Sequence, residues 1–438
     1  MRTRITGCTL VPGVENEPHI PFIQNAEVQV NGNLIAYAGI ADQAPPFEAE
    51  QEIDARGCIC MPGLVNMHTH TPMTFLRSAG ADLTLDDWLN QVIFKLEAQW
   101  DDDLIRTATD LGCMEMLRFG TTSFCDMYMY TGSIVKAVRN NGMRALIGHG
   151  VVDSDGSCKD LEEGVELAKN WNRSCGDRIR VSIAPHAEYT STPALIRAAA
   201  RAALDMDIPF HIHVSETKAE HGGCIKRRGK TPMRYLESCG ALYAKVIAAH
   251  CVWLSDEDIE LAAKYGVTIV HNPVSNLKLA SGIAPVAKML DRGCNVALGT
   301  DSVASNDNLN LWEEIKLMPL LQKGTTLDPT VISPAQALAA ATSVGAKAIG
   351  YPDLGLLKQG YIADLILVNI NTPHMTPNVH PESNLIYSLQ GSDVTLTMVD
   401  GKVLYRDGQY LTIDSEAVLQ AANEGAAGMY MRFHGMNA

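Results

Sequence analysis

The sequence contains the segment Met61-Pro62-Gly63-Leu64-Val65-Asn66-Met67-His68-Thr69-His70, in which a short apolar run follows a Pro-Gly pair. Such a run predicts a buried strand. His68 and His70 are separated by one residue, so their imidazoles lie on the same side of this strand. Neutral imidazole is a preferred ligand of zinc and iron. The pair therefore indicates a metal site, although two histidines at a strand end can also simply hydrogen-bond to the backbone.

Ligand-type side chains also stand at the ends of later apolar runs. These runs are Phe210-His211-Ile212-His213-Val214, with Glu216 two residues beyond, Val246-Ile247-Ala248-Ala249-His250 and Val296-Ala297-Leu298-Gly299-Thr300-Asp301. One such coincidence is common in proteins. Several of them in one chain favour a shared metal site.

Between residues 58 and 360, short apolar runs alternate with helical patterns. Eight runs qualify as strands, the number that closes a parallel barrel. They are 63–67, 122–126, 145–148, 180–184, 210–214, 246–249, 267–270 and 296–298. The pattern predicts an α/β fold with a (β/α)8 barrel of the TIM type, in which catalytic residues lie at the carboxyl ends of the strands. The strand-end histidines and Asp301 would then meet at one barrel mouth.

Both ends of the chain carry hairpin patterns. Asn31-Gly32-Asn33 separates two short strand-like runs, and Asp400-Gly401-Lys402 does the same near the carboxyl terminus. We expect residues 1–57 and 361–438 to pair into one small β-sandwich domain, with the catalytic barrel of residues 58–360 inserted between them. A length of 438 residues suits a barrel plus a smaller domain.

The amino-acid composition indicates a globular protein and argues against several classes of binding partner. Hydrophobic residues make up 46% and charged residues 19% of the chain, which is typical of a globular protein. The formal net charge of −15 argues against binding to nucleic acid or to anionic membranes. The sequence has no apolar run of about 18 residues and no signal-peptide pattern. We expect a cytoplasmic protein whose 11 cysteines, which include no CxxC pair, are reduced.

Four of the candidate residues form a ligand set for one divalent ion: His68, His70, His213 and Asp301. Imidazoles and a carboxylate can hold such an ion and leave a position open for water. Zinc is the default ion, with Fe²⁺ and Mn²⁺ as alternatives. A bound ion lowers the pKa of water from about 15.7 to about 7, and Asp301 can take the released proton. His250 is expected either to ligate the ion or to hydrogen-bond to the bound water.

Glu216 is the candidate proton shuttle. It would protonate a ring nitrogen while hydroxide adds to the neighbouring carbon, and it would then help to protonate the departing amine. Zinc deaminases of nucleobases use a non-ligand Glu for such proton transfers on another fold. The fourth predicted strand runs into Pro185 and His186 without a lysine at its end. A single-metal site is therefore favoured over a pair of ions bridged by a modified lysine.

Five segments of the sequence match one known family. They are Pro62-Gly63-Leu64-Val65-Asn66-Met67-His68-Thr69-His70-Thr71-Pro72-Met73, His213-Val214-Ser215-Glu216-Thr217, Ala249-His250-Cys251, His271-Asn272-Pro273-Val274-Ser275-Asn276-Leu277-Lys278-Leu279 and Gly299-Thr300-Asp301-Ser302-Val303-Ala304-Ser305-Asn306. The chain resembles the amidohydrolase superfamily and, within it, the 5'-methylthioadenosine/S-adenosylhomocysteine deaminase family. This resemblance implies a metal-dependent hydrolytic deaminase that converts an adenine nucleoside to the inosine analogue and ammonia. Candidate substrates are 5'-methylthioadenosine, adenosine, 5'-deoxyadenosine and S-adenosylhomocysteine.

The same resemblance implies several substrate contacts. Glu97 would bind the ribose hydroxyls, His186 would lie near the nucleoside and Trp88 would form an apolar wall for the base. His149 and Lys159 stand where arginines are expected in members that accept S-adenosylhomocysteine. A carboxylate loses its bidentate partner under this change. We therefore predict a preference for nucleosides without the charged tail, while His149 is equally compatible with simple packing at a strand end.

Alternatives of two kinds remain. The same site could deaminate guanine or a pterin, or dechlorinate a triazine, although triazine hydrolases related to this group can lack the Glu that stands here at position 216. The barrel could also be a non-catalytic scaffold, but such a chain would be expected to have lost ligands. The sequence does not determine the oligomeric state, and it is compatible with a homo-oligomer.

Overall fold

The computed structural model describes residues 1–15, 17–80, 82–152 and 158–436. Its strands are β1 (Arg2–Leu10), β2 (Ile23–Asn31), β3 (Leu34–Ile40), β4 (Gln51–Asp54), β5 (Cys58–Pro62), β6 (Leu64–Thr69), β7 (Thr121–Tyr128), β8 (Arg144–Val151), β9 (Ile179–Pro185), β10 (Phe210–Val214), β11 (Val246–His250), β12 (Thr268–His271), β13 (Asn295–Leu298), β14 (Leu365–Asn369), β15 (Val394–Val399), β16 (Lys402–Arg406) and β17 (Gln409–Tyr410). They form two sheets.

The helices surround the barrel and close its loops. They are α1 (Leu85–Trp88), α2 (Phe94–Glu97), α3 (Asp102–Arg118), α4 (Thr131–Asn141), α5 (Lys159–Trp171), α6 (Ser174–Asp177), α7 (Pro193–Met206), α8 (Lys218–Arg228), α9 (Pro232–Ser238), α10 (Asp256–Tyr265), α11 (Pro273–Lys278), α12 (Val286–Asp291), α13 (Val303–Asn306), α14 (Leu311–Thr326), α15 (Pro334–Ala340), α16 (Ser343–Ala348), α17 (Pro381–Ser383) and α18 (Ser415–Met436). None of these described helices combines the length and the apolar character needed to cross a membrane.

Strands β6 to β13 form an eight-stranded parallel sheet in sequence order. The sheet curls until its last strand meets its first, where the backbone N–H of Asp301 donates to the carbonyl of His68 at 2.9 Å. Thr69 and Asp301 form a parallel bridge at the same place. The predicted (β/α)8 barrel is confirmed, and each of the eight predicted runs overlaps one of these strands.

Local sequence signals explain the strands and helices of the barrel. Strands β10 and β11 are buried along their whole length, which accounts for their mainly apolar sequences. The Asp101 side chain caps α3 by accepting hydrogen bonds from the backbone N–H groups of its first turn. Ser255 and Asp258 form a capping box at the start of α10, and Gly266 ends that helix with a φ of 64°. Ser255 is therefore the N-cap of this helix.

The remaining strands join both ends of the chain into one mixed sheet. Its order is β17-β16-β15-β14-β5-β1-β2-β3, with β4 paired to β1. The two predicted hairpins are present, and their turns touch each other. Gly401 has a φ of 73°, and a side chain there would collide with the carbonyl of Gly32. Side chains from both chain ends, including Val28 and Leu365, share one buried core. The predicted small β domain built from the two ends is therefore present as a single continuous sheet.

Two features bear on the predicted domain limits. Strand β5 pairs with β14 and β1, so the small sheet includes residues just beyond position 57. The carboxyl-terminal helix α18 was not predicted, and it packs on α3 at the side of the barrel. There Arg432 donates to Gln99 at 2.8 Å, and Gly425 lies against Leu104 and Phe75. The division into residues 1–57 with 361–438 and 58–360 stays a proposal.

Arg144 links the amino end of the barrel to the small sheet. Its side chain is 1% exposed, and its Nε and Nη2 atoms donate to the Asp364 carboxylate at 2.9 and 3.1 Å. Nη2 also lies 3.2 Å from Asp400 Oδ1. The guanidinium lies 4.8 Å from the centre of the Tyr351 ring. A buried bidentate ion pair of this kind is costly to break on one side only, because the remaining charge stays buried.

We expect Arg144→Met to lower the free energy of unfolding by about 3–5 kcal/mol, because Asp364 loses its buried partner. Urea unfolding followed by circular dichroism measures the change. Arg201→Met is the matched control, since Arg201 pairs with Asp205 on an exposed helix face at 2.8 Å and should cost at most about 1 kcal/mol. Equal losses in the two variants would contradict the role given to Arg144.

Candidate active site

The strand-end residues meet at the carboxyl mouth of the barrel. His68 and His70 come from the end of β6, His213 from β10, His250 from β11, and Asp301 lies three residues after β13. The backbone of His250 has a φ of 72° and that of Asp301 a φ of 62°. Left-handed backbone at non-glycine residues is strained and occurs preferentially at functional sites. The chain thus turns sharply where these two side chains enter the mouth.

These five side chains form one cluster, which we call the histidine cluster. The Nε2 atoms of His68 and His70 lie 3.5 and 3.4 Å from Asp301 Oδ1. His213 Nε2 lies 3.4 Å from His70 Nε2. Ring nitrogens of His68, His213 and His250 lie within 4.8 Å of one another, as do ligand atoms of His68, His70 and Asp301. The predicted set of residues is therefore brought together within the span of a metal site.

Hydrogen bonds on the outer sides of the rings orient the cluster. Nδ1 of His70 donates to the carbonyl of Met127 at 2.5 Å, and Nδ1 of His213 donates to the carbonyl of His186 at 2.7 Å. In both rings the donating Nδ1 leaves a lone pair on Nε2, which faces the other ligand atoms. His68 Nε2 is buried and makes no hydrogen bond to any described residue. A buried, unpartnered nitrogen among such donors fits a bound divalent cation.

The protonation states of the cluster also suit a cation. Burial lowers the pKa of His68 to about 4 and holds the pKa of His213 well below its ordinary value. Burial alone would raise the pKa of Asp301, but the close approach of His68 and the neighbouring histidines holds that pKa well below its ordinary value. At neutral pH these two imidazoles are neutral and the carboxylate is charged, which are the forms that ligate metals.

Three further residues hydrogen-bond to members of the histidine cluster. They lie in the segments that match the family, but the sequence alone did not predict a role for them. Ser275 and Ser305 donate to Asp301 Oδ2 at 2.6 and 3.1 Å. The Oδ1 atom of this carboxylate is then held toward the histidines. Asn276 accepts a hydrogen bond from His250 Nδ1 at 2.9 Å. Short polar side chains after a strand are candidate partners in a sequence, but Ser275 and Asn276 bind residues at the ends of other strands, so these pairings follow only from the fold.

Glu216 lies at the edge of the histidine cluster. Its Oε2 atom is 3.8 Å from His250 Nε2, and its Oε1 atom accepts a hydrogen bond from Ser281 at 3.3 Å. Burial raises the pKa of Glu216 above its ordinary value. The Glu220 carboxylate accepts the backbone N–H groups of Ser215 and Glu216 at 2.9 and 2.6 Å. This loop therefore holds the Glu216 carboxyl group beside the cluster in a form that can give and take protons.

The histidine cluster opens into a cavity of about 330 Å³. Its wall includes three of the predicted substrate contacts, namely Trp88, Glu97 and His186. Trp88 is 6% exposed and donates from its indole to the carbonyl of Ala79 at 2.8 Å. Burial lowers the pKa of His186 to about 4, so this ring is neutral. Further apolar lining comes from Met73, Leu85, Leu89, Ile93, Phe94 and Met127.

His149 lies apart from this wall. It lines an adjoining depression together with Asp102, Thr131 and Glu163. Its Nε2 atom is 3.6 Å from Glu163 Oε2, and its Nδ1 atom is 3.4 Å from the Thr131 hydroxyl. Of the predicted substrate contacts, His149 is therefore the one that the structure does not bring into the main cavity, and its role stays a prediction.

Replacement of His68 by Ala should remove a central ligand and lower bound metal by at least about tenfold, since changes outside the ligand shell already cost about 10–100-fold in affinity. Metal content after gel filtration, measured by plasma mass spectrometry, tests this. His149→Asn is the control, because it alters a strand-end histidine outside the histidine cluster. Full metal content in a folded His68→Ala protein would contradict the assigned site.

Comparison with known proteins agrees with this geometry. The model of the amidohydrolase family matches residues 59–404. A 5'-deoxyadenosine deaminase of Methanothermobacter thermautotrophicus is 41% identical over 92% of this chain and 95% of its own. A 5-methylthioadenosine/S-adenosylhomocysteine deaminase of Dictyoglomus thermophilum is 42% identical over 85% of this chain and 88% of its own.

A solved structure extends the comparison. The crystal structure of an adenosine deaminase from Xanthomonas campestris with bound zinc has a TM-score of 0.93 and 32% identity, and the match covers 98% of each chain. The predicted resemblance is confirmed, and the chain belongs to the amidohydrolase family.

Proposed function

We propose that this enzyme removes the 6-amino group of an adenine nucleoside by hydrolysis and releases the inosine analogue and ammonia. One observation carries the proposal: the buried Glu216 carboxyl group lies 3.8 Å from His250 on the wall of the cavity that also holds the histidine cluster and Glu97. The names of the relatives support it, since they are deaminases of 5'-deoxyadenosine and of 5-methylthioadenosine or S-adenosylhomocysteine.

His68, His70, His213 and Asp301 would hold one divalent cation. Zinc is the first choice because of its affinity for nitrogen and oxygen ligands and because the Xanthomonas enzyme carries it. Fe²⁺ and Mn²⁺ are the alternatives. When bound, such an ion supplies Lewis acidity and brings the pKa of water to about 7.

Asp301 and Glu216 divide the proton transfers. Asp301 is ionised and accepts the proton of the attacking water, while Ser275 and Ser305 keep its carboxylate in place. Glu216 has a raised pKa, so a protonated fraction persists at higher pH than for an exposed Glu. It gives its proton to a ring nitrogen as water adds to the neighbouring carbon, and it then takes the proton of the new hydroxyl group and passes it to the departing amine. The water proton held by Asp301 finally restores the protonated Glu216. His250 either ligates the cation or orients the water by a hydrogen bond.

The cavity wall would bind the rest of the nucleoside. Glu97 accepts hydrogen bonds from the ribose hydroxyls, and Trp88 covers the base with an apolar surface. His186 contacts the nucleoside from the side of the histidine cluster, where its ring centre lies 4.7 Å from that of His213. The mostly apolar lining excludes water from the reacting atoms and strengthens the polar contacts within.

Replacing Glu216 with Gln should lower kcat by about 10²–10⁴-fold, because the side chain can no longer transfer protons. Metal content should stay unchanged. Ammonia release from adenosine and 5'-deoxyadenosine measures the effect, and Glu162→Gln is the control because Glu162 is exposed on α5. Unchanged kcat in the Glu216→Gln protein would exclude Glu216 as the proton shuttle.

Substrate choice is tested with nucleosides that differ at the 5' position. We expect kcat/KM for 5'-methylthioadenosine and 5'-deoxyadenosine to exceed that for S-adenosylhomocysteine by about tenfold or more, because His149 and Lys159 replace the expected arginines and a carboxylate loses a charge-assisted hydrogen bond. His149→Arg should raise kcat/KM for S-adenosylhomocysteine. A strong preference of the unaltered enzyme for S-adenosylhomocysteine would overturn the prediction.

The alternatives use the same cluster on other rings. Guanine, pterins and triazines carry no ribose, so the Glu97 carboxylate on the cavity wall would have no diol to bind. Including guanine, a pterin and a chlorotriazine in the ammonia and chloride assays separates these activities from nucleoside deamination. The scaffold alternative is disfavoured because the ligand set is complete and the relatives are enzymes.

A further inference from the structure

A chain of hydrogen bonds ends on the cavity wall at Glu97. The indole Nε1 of Trp100 donates to the hydroxyl of Tyr128 at 2.9 Å. The Tyr128 hydroxyl in turn donates to Glu97 Oε1 at 2.6 Å. Tyr128 and Glu97 both line the cavity, and the Tyr128 ring centre lies 6.3 Å from that of His70. This series of hydrogen bonds therefore runs from the protein interior to the Glu97 carboxylate, which is proposed to bind the ribose.

The direction of this hydrogen-bond chain follows from chemistry. An indole N–H only donates, and a tyrosine hydroxyl has a single proton to give. Because Trp100 occupies an acceptor site of the hydroxyl, the Tyr128 proton points to Glu97. Burial raises the pKa of Tyr128 well above its ordinary value, so the hydroxyl keeps its proton. Glu97 consequently receives a fixed donor on Oε1.

The two ends of the Tyr128–Glu97 bond differ in how the fold supports them. Tyr128 is the last residue of the barrel strand β7 and is 5% exposed. Glu97 is the last residue of a continuous helical segment that runs through α1, a π-helical turn (Leu89–Ile93) and α2, and that lies over the cavity. A glutamate side chain at the end of a helix has several rotamers available, and ordering it costs free energy. The Tyr128 hydroxyl ties this carboxylate to the rigid barrel.

A carboxylate has about four acceptor sites, of which Tyr128 uses one. The others are available to the two hydroxyls of a ribose if the carboxylate is held in the right rotation. We propose that Tyr128 is a positioning residue that orients Glu97 for the ribose diol, with Trp100 aligning the tyrosine hydroxyl. This inference rests on the proposed function, because it assumes that a nucleoside occupies the cavity.

The test is Tyr128→Phe, assayed with nucleosides that have or lack the diol. For adenosine we expect KM to rise by about tenfold with kcat within about twofold, the size expected when one hydrogen bond to a charged group is lost. For 2',3'-dideoxyadenosine, kcat/KM should match that of the unaltered enzyme. Calorimetry should likewise show weaker binding of inosine but not of 2',3'-dideoxyinosine, which gives a readout that does not depend on turnover.

Further variants separate positioning from general damage. Glu97→Gln with Tyr128→Phe should be little worse for adenosine than Glu97→Gln alone, because both act through one contact. Trp100→Phe should reproduce the dependence on the diol with a smaller change. Tyr405→Phe is the control: it removes another buried tyrosine hydroxyl, one that accepts from Arg118 at 2.6 Å on the small sheet.

Each outcome decides between the hypotheses. Equal losses for adenosine and its dideoxy analogue in Tyr128→Phe, or a fall in kcat with KM unchanged, would overturn the positioning role while leaving nucleoside deamination intact. If the unaltered enzyme neither deaminates nor binds any nucleoside, the proposed function fails and this inference fails with it. A change in KM for adenosine alone supports the role of Tyr128.

Discussion

The hydrogen bonds on Nδ1 of His70 and His213 are the constraint on which the site depends. Both acceptors are backbone carbonyls, one from Met127 in β7 and one from His186 just after β9. Each ring is therefore oriented by a neighbouring strand and not by its own. A slip of one residue in the strand register would turn these side chains to the other face. The register that closes the barrel is thus also what aims the ligands.

Burial makes this arrangement energetically demanding. The buried imidazoles of His68, His213 and His250 share a space shielded from water with the ionised Asp301 carboxylate and Glu216, and unpaired polar atoms are costly there. The protein offsets part of this cost with hydroxyl donors to Asp301 and an amide partner for His250. The left-handed backbone at His250 and Asp301 adds strain. Apolar residues at these positions would give a more stable core, and the metal-binding role proposed for the cluster accounts for this cost.

Much of the barrel and the histidine cluster could be predicted from sequence because both follow simple periodicities. Residues two apart share a face of a strand, and the carboxyl ends of parallel strands meet. The roles of Ser275, Asn276 and Tyr128 could not be predicted, because each acts through a partner on a different element. Helix α18 was missed since its small residues, such as Ala422 and Gly425, give a weak apolar pattern. His149 stands at a strand end as expected, yet Thr131 and Glu163 surround it outside the main cavity.

The pairing of β5 with β14 has a consequence for how the chain matures. Pro62 is registered with Leu365, so the amino-terminal strands gain their central neighbour only after most of the polypeptide has left the ribosome. Until then β5 presents an open edge, of the kind that can pair with other chains. Loop closure over so long a separation is slow. The edge of β5 is therefore covered only when the two ends of the chain come together.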